Sequence, residues 1–327
     1  MLVWRRPMPG HAAGTQTQAL AGDEGSGQRD FGVAVVVGAA PGLVASWPAE
    51  AITQQVAPDL PGFAVEVLPE IDSTNSELMR RIRAGWRQPL LLVAERQTAG
   101  RGRLGRQWFS GDAGAAPGTV PGASANPVLA SLTFSLALAL APRDWSGLSL
   151  AVGLSVARSL HPALQLKWPN DVWLQDRKLA GILIETGSVA EHRYAVVGIG
   201  INIAPRDGTQ LATAPACLQE LLPALGAPAL LLRIVPALVQ TLQCFEGQGF
   251  APFQAAFQAR DALRGREVVL SDGSTGIAAG VDATGALLVH TSAGMKVITS
   301  AEVSVRPSRS LAGAAVPGIP GTPGMGF

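Results

Sequence analysis

Residues 165–203 read QLKWPNDVWLQDRKLAGILIETGSVAEHRYAVVGIGINI, and this stretch decides the class of fold. Short apolar runs alternate in it with the turn signals PND and QDRK, and Gly198 and Gly200 lie near its end. The connections are too short for a helical crossover, so the spacing predicts neighbouring strands that pair mainly antiparallel. The predicted strands are residues 165–168, 172–174, 179–186 and 194–203.

Strands and helices predicted on either side of this stretch complete the fold class. Thr74 and Glu77 form a capping box that begins a helix. Apolar runs predict strands at 63–67, 90–95 and 132–138, the last of them half-buried. Helical spacing returns at 146–160, 218–225, 230–245 and 252–263. An antiparallel sheet with helices packed on one side, and therefore an α+β fold, is the prediction.

The C-terminal region has a different character, with short strands separated by the turn signals SDGS, DATG and SAGM. The predicted strands 268–270, 286–290 and 296–298 indicate a small all-β barrel. We therefore predict five segments along the chain: a poorly ordered lead without a helix-turn-helix at 1–46, a large domain at 47–263, a flexible insertion rich in Gly, Ala and Pro within it at 111–127, the small barrel at 264–307, and a disordered tail at 308–327.

Composition limits the functions that the chain can have. Its 327 residues include 25 Lys and Arg against 24 Asp and Glu, and a formal net charge of +1 gives no global basic field for nucleic acid. Cys217 and Cys244 are too far apart for a C-x-x-C site and are predicted to be buried free thiols. The apolar run 31–45 is interrupted and too short to span a membrane, and we find no secretory signal, so we predict no transmembrane helix and a cytoplasmic protein.

A run of arginines and glycines occupies residues 95–110, ERQTAGRGRLGRQWFS. Arg101, Arg103 and Arg106 supply fixed positive charge, and the glycines between them let the backbone approach a ligand closely. This combination suits an anion. It is also typical of a disordered nucleic-acid-binding segment, or simply of a solvated basic loop.

Lysine is rare enough in this chain to be informative. Only Lys167, Lys178 and Lys296 occur, against 22 arginines. Lys167 and Lys178 flank a turn-rich segment, where an ammonium group can act as a mobile point charge on a phosphate or a developing oxyanion. The alternative is that each is a surface lysine at the end of a strand.

Five motifs in fixed order resemble the bacterial biotin protein ligases. They are IDSTN (71–75), QTAGRGRLGRQWFS (97–110), KWPND (167–171), RKLAGILIE (177–185) and GIGIN (198–202), and the resemblance extends over roughly residues 63–306. It implies a class II synthetase-like catalytic domain with a mixed or antiparallel sheet, followed by a small SH3-like C-terminal domain. Both agree with the α+β sheet and the barrel predicted from the residues.

The resemblance also implies a two-step reaction. Biotin and ATP, with Mg²⁺, give biotinyl-5′-AMP and pyrophosphate, and a lysine of a biotin carboxyl carrier protein then takes the biotin. The first step brings a carboxylate to a phosphate, so positioned cations and orientation must supply most of the catalysis. No protein nucleophile is required.

Site residues follow from the resemblance, motif by motif. Lys178 is expected to bridge the biotin carbonyl and the α-phosphate, and both Lys178 and Arg103 are expected to be catalytic. Ser73 and Thr74 also have the alternative role of capping a helix. The expected biotin-binding residues are Ser73, Thr74, Asn75, Gln97, Gly100, Arg101, Arg103, Lys178 and Gly181.

The expected nucleotide side includes Trp108 against the adenine, with a core tryptophan as the alternative. Lys167 and Asn170 either support phosphate or shape the turn. Asp171 is the carboxylate expected to help hold Mg²⁺, which prefers oxygen ligands. The residues expected to bind ATP or its phosphates are Arg103, Arg106, Trp108, Lys167, Asn170, Asn202 and Arg306.

Three other functions remain as alternatives. A lipoate or octanoate transfer enzyme shares the catalytic fold, although the motifs at 100–106 and 167–171 favour biotin. A biotin-responsive DNA-binding repressor and a noncatalytic RNA-binding module are both disfavoured, the first by the missing N-terminal module. We therefore predict a carboxylase carrier protein as partner, neither nucleic acid nor membrane, and a monomer or weak homodimer.

The adenylate product is prone to hydrolysis, so the enzyme must exclude water until the acceptor lysine arrives. A glycine-hinged loop that orders over the product is one physical solution. We expect residues 96–110 to be mobile without ligand and to close over biotinyl-AMP.

Overall fold

A seven-stranded mixed sheet forms the body of the protein. The computed structural model describes residues 45–110, 129–205 and 214–299, and the backbone of residues 306–307. The strands are β1 (Ala64–Ile71), β2 (Leu90–Gln97), β3 (Ser131–Ala139), β4 (Gln165–Lys167), β5 (Asp171–Leu174), β6 (Arg177–Val189) and β7 (His192–Asn202). Their order is β1-β2-β3-β7-β6-β5-β4, and only β1 and β2 pair in parallel. The α+β class and the mainly antiparallel pairing are confirmed.

Helices cover both faces of this sheet, so the prediction of helices on one side is wrong. The helices α1 (Ala49–Val56), α3 (Leu148–Leu160) and α4 (Ala227–Gln248) contribute to the main core on one face. The helix α2 (Thr74–Arg83) packs Leu78, Met79 and Ile82 on the opposite face. The physical reason is that β1 and β2 are parallel neighbours, and the chain between them has to cross over one face of the sheet.

The strand β3 is buried on both faces, and the prediction of a half-buried strand is wrong. Every residue from Ser131 to Leu138 is buried. Leu132, Phe134 and Leu136 belong to the main core, whereas Ser131, Thr133 and Ser135 alternate with them on the face of α2. Polar residues therefore lie buried beneath α2.

Two helices predicted from spacing are shorter than expected. Residues 218–225 contain only the 3₁₀ turn Leu218–Glu220, because Pro223 interrupts the helical spacing. Residues 252–263 contain a 3₁₀ turn and the short helix α5 (Gln254–Gln258). The chain leaves the helix there because Leu166 pairs with the backbone beyond it, donating to Arg260 O and accepting from Ala262 N.

The C-terminal region forms a separate antiparallel sheet. Its strands are β8 (Glu267–Val269), β9 (Thr275–Val281), β10 (Leu287–Thr291), β11 (Gly294–Ile298) and β12 (Arg306–Pro307), in the order β11-β10-β9-β8-β12. The sequence did not predict β9. A turn of this sheet packs against the large domain, where Trp168 Nε1 donates a 3.1 Å hydrogen bond to Gly285 O.

The helix α4 is long and apolar enough, by length and composition, to cross a membrane. Nine of its residues are buried, and they belong to the main core next to α3. It is therefore accounted for as a core helix of this fold.

The predicted domain limits stay predictions. The insertion 111–127, the tail 308–327 and all but the last two residues of the lead 1–46 lie outside the described residues.

Candidate active site

A cavity of about 160 Å³ opens on the α2 face of the main sheet. Its floor is formed by β3, β6 and β7. Its walls are formed by the start of α2, by residues 98–110 after β2, which we call the arginine loop, and by the turn before β5. Thirteen of the predicted site residues line this cavity: Ser73, Thr74, Asn75, Gln97, Arg101, Arg103, Arg106, Trp108, Lys167, Asn170, Asp171, Lys178 and Gly181.

The start of α2 places the hydroxyl groups of Ser73 and Thr74 at the cavity, and the two hydroxyls have different hydrogen-bond partners. Ser73 caps the helix, because its side chain accepts a 3.4 Å hydrogen bond from Ser76 N. Asp72 supports this turn by accepting from Ser73 N at 2.7 Å, and a hydrogen bond from Arg80 lowers the pKa of Asp72. Thr74 has no capping bond, and its hydroxyl turns to the sheet instead. The predicted capping box of Thr74 with Glu77 is therefore wrong, because the N-cap lies one residue earlier, at Ser73.

Thr74 contacts both β2 and β3 through hydrogen bonds. Its backbone N donates to Gln97 Oε1 at 2.8 Å, and its hydroxyl lies 3.2 Å from the same oxygen. The hydroxyl also lies 2.7 Å from Ser135 Oγ, and Ser135 donates a 2.6 Å hydrogen bond to Asn75 Oδ1. All three of Thr74, Asn75 and Ser135 are buried. The result is a buried polar wall on the side of the cavity next to β2 and β3.

Asn75 continues this wall to β6. Its amide nitrogen donates to Leu183 O at 3.2 Å and to Glu185 Oε2 at 3.0 Å. The other oxygen of Glu185 accepts a 3.0 Å hydrogen bond from Arg101, which also donates to Ser76 Oγ at 3.0 Å. One carboxylate thus joins the buried wall to the arginine loop.

The arginine loop folds back on itself as a tight turn. Trp108 N donates to Gly100 O at 2.8 Å, and Gly102 N donates to Arg106 O at 2.7 Å. A Cβ atom on Gly100 would lie 2.3 Å from Trp108 O, so this close approach requires glycine. Leu104, at φ 56°, turns the chain at the tip.

Cationic side chains converge on the other side of the cavity. Burial lowers the pKa of Arg103 below its ordinary value, the nearby carboxylate of Asp171 opposes this, and Arg106 adds to it. A guanidinium with a lowered pKa still stays protonated at neutral pH. Arg103, Arg106, Lys167 and Lys178 all line the cavity, so an anion there is surrounded by positive charge.

Lys178 lies between a carboxylate and an indole ring. Its Nζ lies 2.7 Å from Asp171 Oδ1, which is an ion-pair distance, although the two groups are not aligned as a hydrogen bond. The same Nζ lies 5.9 Å from the centroid of the Trp108 ring. Glycines make room for both neighbours. A Cβ atom on Gly181 would lie 2.9 Å from Lys178 Nζ, and one on Gly200 would lie 2.4 Å from Trp108 Cε2.

The turn before β5 is fixed to β6 through Asn170. Its side chain donates to Ile182 O at 2.8 Å, and Ile182 N donates back to Asn170 O at 3.0 Å. These bonds are those of a turn-shaping residue. Lys167 Nζ lies 5.0 Å from the centroid of the Trp173 ring.

Three of the predicted residues do not line the cavity. Gly100 acts through the turn just described. Asn202 is buried behind Lys178 and donates to its carbonyl oxygen at 3.4 Å. The side chain of Arg306 lies outside the described residues, and its backbone pairs with Val269.

The donor set for a metal ion is small. Among the described residues there is no cluster of three or more His, Cys, Asp or Glu side chains that could hold a metal. Asp171 is the one carboxylate among the described residues that line the cavity. Because Mg²⁺ is commonly bound by one or two carboxylates together with substrate phosphates and water, this single donor fits Mg²⁺ that arrives with a nucleotide.

Sequence reasoning missed Ser135 and Glu185. Ser135 lies in the strand predicted at 132–138, where apolar and polar residues alternate. The one sequence signal for a site role was its place among the polar residues of that strand. Glu185 ends the motif RKLAGILIE, where an acidic residue closes an apolar run. Neither signal indicates which side chains these residues contact.

Two family profiles match the sequence and define the class of protein. The profile of the biotin/lipoate A/B protein ligase family matches residues 67–202, which contain the cavity. The profile of the biotin protein ligase C terminal domain matches residues 265–306. The fold and site are therefore those of a ligase of the biotin and lipoate class, and the second profile narrows this to biotin.

Individual relatives agree with this assignment. The chain is 35% identical to the bifunctional ligase/repressor BirA of Escherichia coli over 291 residues, which covers 85% of each chain. It is 36% identical to the biotin–acetyl-CoA-carboxylase ligase of Paracoccus denitrificans, covering 72% of this chain and 98% of the relative. The biotin protein ligase of Aquifex aeolicus in complex with biotin and ATP superposes with a TM-score of 0.60 at 30% identity, covering 75% of this chain and 99% of that one. The chain belongs to the biotin protein ligase family and is a ligase.

Proposed function

We propose that this ligase joins biotin to a lysine of a biotin carboxyl carrier protein through biotinyl-5′-AMP. The observation that carries the proposal is the pairing, in one cavity, of a buried polar wall with a cluster of cations. The wall is formed by Thr74, Asn75 and Ser135, and the cations line the opposite side. A ligand with a polar head at one end and an anionic group at the other matches this arrangement.

The polar wall favours biotin over lipoate or octanoate. The ureido ring of biotin offers N–H donors and a carbonyl acceptor, which can pair with the hydroxyl of Thr74 and the amide of Gln97. A dithiolane or alkyl end offers neither, and packing it against buried hydroxyl and amide groups costs free energy because their hydrogen-bonding capacity is lost.

The first step joins two anions. A carboxylate oxygen of biotin attacks the α-phosphorus of ATP, the bond to the bridging β-phosphate oxygen breaks, and pyrophosphate leaves. Lys178 lies beside the cavity with its charge close to Asp171 and Trp108, and we assign it to the developing charge between carboxylate and phosphate. Arg103 supplies a second, bidentate donor.

The second step forms the amide. The neutral amine of the acceptor lysine attacks the carbonyl carbon, the bond to the phosphate oxygen breaks, AMP leaves, and the amine loses a proton. The role of the protein is to hold the adenylate and exclude water until the amine arrives. Closure of residues 96–110 over the adenylate is our proposal for this protection, and amide hydrogen exchange in the loop that is unchanged by biotin with ATP would contradict it.

Asp171 is our proposed contributor to Mg²⁺ binding. When bound with ATP, the metal neutralises phosphate charge. Asp171 would then exchange its ion pair with Lys178 for the metal, which leaves the ammonium of Lys178 available to the substrate.

A repressor function is the second candidate, because the Escherichia coli relative is named a bifunctional ligase/repressor. We expect this chain to act without operator DNA, as a cytoplasmic monomer or weak homodimer. A salt-dependent gel shift with a specific operator would contradict this expectation.

The test of the proposed function is incubation with biotin, MgATP and an apo carrier domain. We expect Lys178→Ala to lower adenylate formation by roughly 100-fold or more, since one preorganised donor to transition-state charge contributes ~3 kcal/mol. Lys296→Ala is the matched control, because this lysine pairs with Asp272 in the C-terminal domain. Near-normal turnover by Lys178→Ala would remove Lys178 from the mechanism.

A further inference from the structure

We propose that Glu185 is a positioning residue that sets the direction of the hydrogen bonds in the polar wall and so controls biotin affinity. This inference rests on the proposed function, because it concerns the biotin side of the same cavity. Glu185 lies on β6 behind this wall, and its two carboxylate oxygens accept from different elements, one from α2 and one from the arginine loop.

The neighbours of Asn75 fix the orientation of its side-chain amide. Both groups that face its amide nitrogen, Leu183 O and Glu185 Oε2, can only accept hydrogen bonds. The NH₂ group must therefore point to β6. The oxygen Oδ1 must then point to Ser135, which lies 2.6 Å away.

The orientation of Asn75 in turn fixes the hydroxyl protons of Ser135 and Thr74. Ser135 has one hydroxyl proton and gives it to Asn75 Oδ1, so its oxygen accepts from Thr74 at 2.7 Å. Thr74 also has one hydroxyl proton, and two acceptors lie within reach of it, Ser135 Oγ at 2.7 Å and Gln97 Oε1 at 3.2 Å. Ser135 can bond to Thr74 only by accepting this proton, whereas Gln97 Oε1 already accepts from Thr74 N. The proton therefore goes to Ser135, and the hydroxyl oxygen of Thr74 is left as an acceptor. Gln97 Oε1 is held by Thr74 N at 2.8 Å, so the amide nitrogen of Gln97 remains a donor. The wall therefore presents an acceptor and a donor in fixed positions, which is the complement of a cyclic urea.

An uncharged replacement of Glu185 would disturb this order of hydrogen bonds. Glutamine has the same shape, but one of its two terminal groups is a donor. Asn75 and Arg101 are both donors at this point, so the glutamine NH₂ must face one of them, and one hydrogen bond is lost. If the amide of Asn75 reorients in response, the hydroxyl protons of Ser135 and Thr74 can adopt more than one arrangement.

The test is a calorimetric measurement of biotin and ATP affinity for the full chain and Glu185→Gln. We expect the Kd for biotin to rise about 10-fold, the effect of disturbing one hydrogen bond of the buried Asn75 amide. The Kd for ATP should stay within about twofold. The matched control is Glu220→Gln, since Glu220 also accepts from an arginine, Arg177, and does not line the cavity. It should leave both affinities within about twofold.

A double-mutant cycle with Ser135→Ala separates positioning from a general structural effect. If Glu185 acts through Asn75 and Ser135, then Glu185→Gln should weaken biotin binding by less than about threefold in the Ser135→Ala background, because that chain is already broken. Unchanged biotin affinity in Glu185→Gln, or the full effect in the Ser135→Ala background, would overturn the proposal. A wild-type protein that binds no biotin would instead refute the proposed function itself.

Discussion

Gly198→Ala tests the polar wall through a residue that has no side chain of its own. A Cβ atom at this position would lie 2.1 Å from Asn75 Oδ1 and 2.8 Å from Asn75 Cγ, whereas ordinary contacts begin near 3.4 Å. The amide of Asn75 would therefore have to move by more than 1 Å, and its bonds to Ser135 and Glu185, at 2.6 and 3.0 Å, would break.

The expected cost of Gly198→Ala follows from these bonds. Buried polar groups left without a partner cost about 1–3 kcal/mol, so we expect a loss of this size in the free energy of unfolding. We also expect biotin affinity to fall by roughly 10-fold or more, because Thr74 and Ser135 lose their fixed orientation. Denaturant unfolding and calorimetry measure the two effects.

The matched control for this variant is Gly187→Ala on β6. A Cβ atom there would meet its nearest atom, Met79 Cε, at an ordinary 3.4 Å. It should leave biotin affinity unchanged. If Gly198→Ala retained the stability and biotin affinity of the wild type, the role that we assign to the polar wall would be refuted.

Three further predictions concern other parts of the molecule. Arg103→Lys keeps the charge but loses the bidentate fork, and we expect about 10-fold weaker ATP binding by calorimetry, whereas full affinity would mean that charge alone suffices. Burial raises the pKa of Asp261, and its Oδ2 has no hydrogen-bond partner, so its ionisation destabilises the fold as the pH rises from about 3.8 through the raised pKa. At pH 7 the free energy of unfolding of Asp261→Asn, measured with denaturant, should exceed that of the wild type by on the order of 1 kcal/mol. Below pH 3.8 the two proteins should be equally stable. Equal stability at pH 7 would contradict this prediction. Gly285→Ala places a Cβ atom 2.7 Å from Gly147 Cα and should lower the melting temperature. The control is Gly273→Ala, because Gly273 has a similar positive φ but no neighbour within 4 Å, and this variant should melt at a clearly higher temperature than Gly285→Ala. Equal melting temperatures would refute the packing of this turn.

Local patterns in the sequence indicated most of the segments that line the cavity. The helix start predicted near Thr74, the glycines around Arg103 and the scarcity of lysine each indicated a segment that lines the cavity, although the N-cap is Ser73 and not Thr74. The parallel pairing of β1 and β2 then brings Thr74 next to Gln97, because both strands end at the same edge.

Long-range register supplied what the sequence could not. Ser135 lies opposite Gly198 across β3 and β7, and the missing side chain at Gly198 leaves the space that Asn75 fills. This depends on residues separated by about 60 positions, so no local period reveals it. The face that α2 covers was mispredicted for the same reason, because it depends on which strands are parallel.

Biotin-dependent exchange of labelled pyrophosphate into ATP tests the central claim most directly, because it requires adenylate formation without any carrier protein. We predict exchange with biotin, no exchange with lipoate or octanoate, loss of exchange in Lys178→Ala and its retention in Lys296→Ala. Exchange supported by lipoate or octanoate in place of biotin, or no exchange with biotin, would contradict the account.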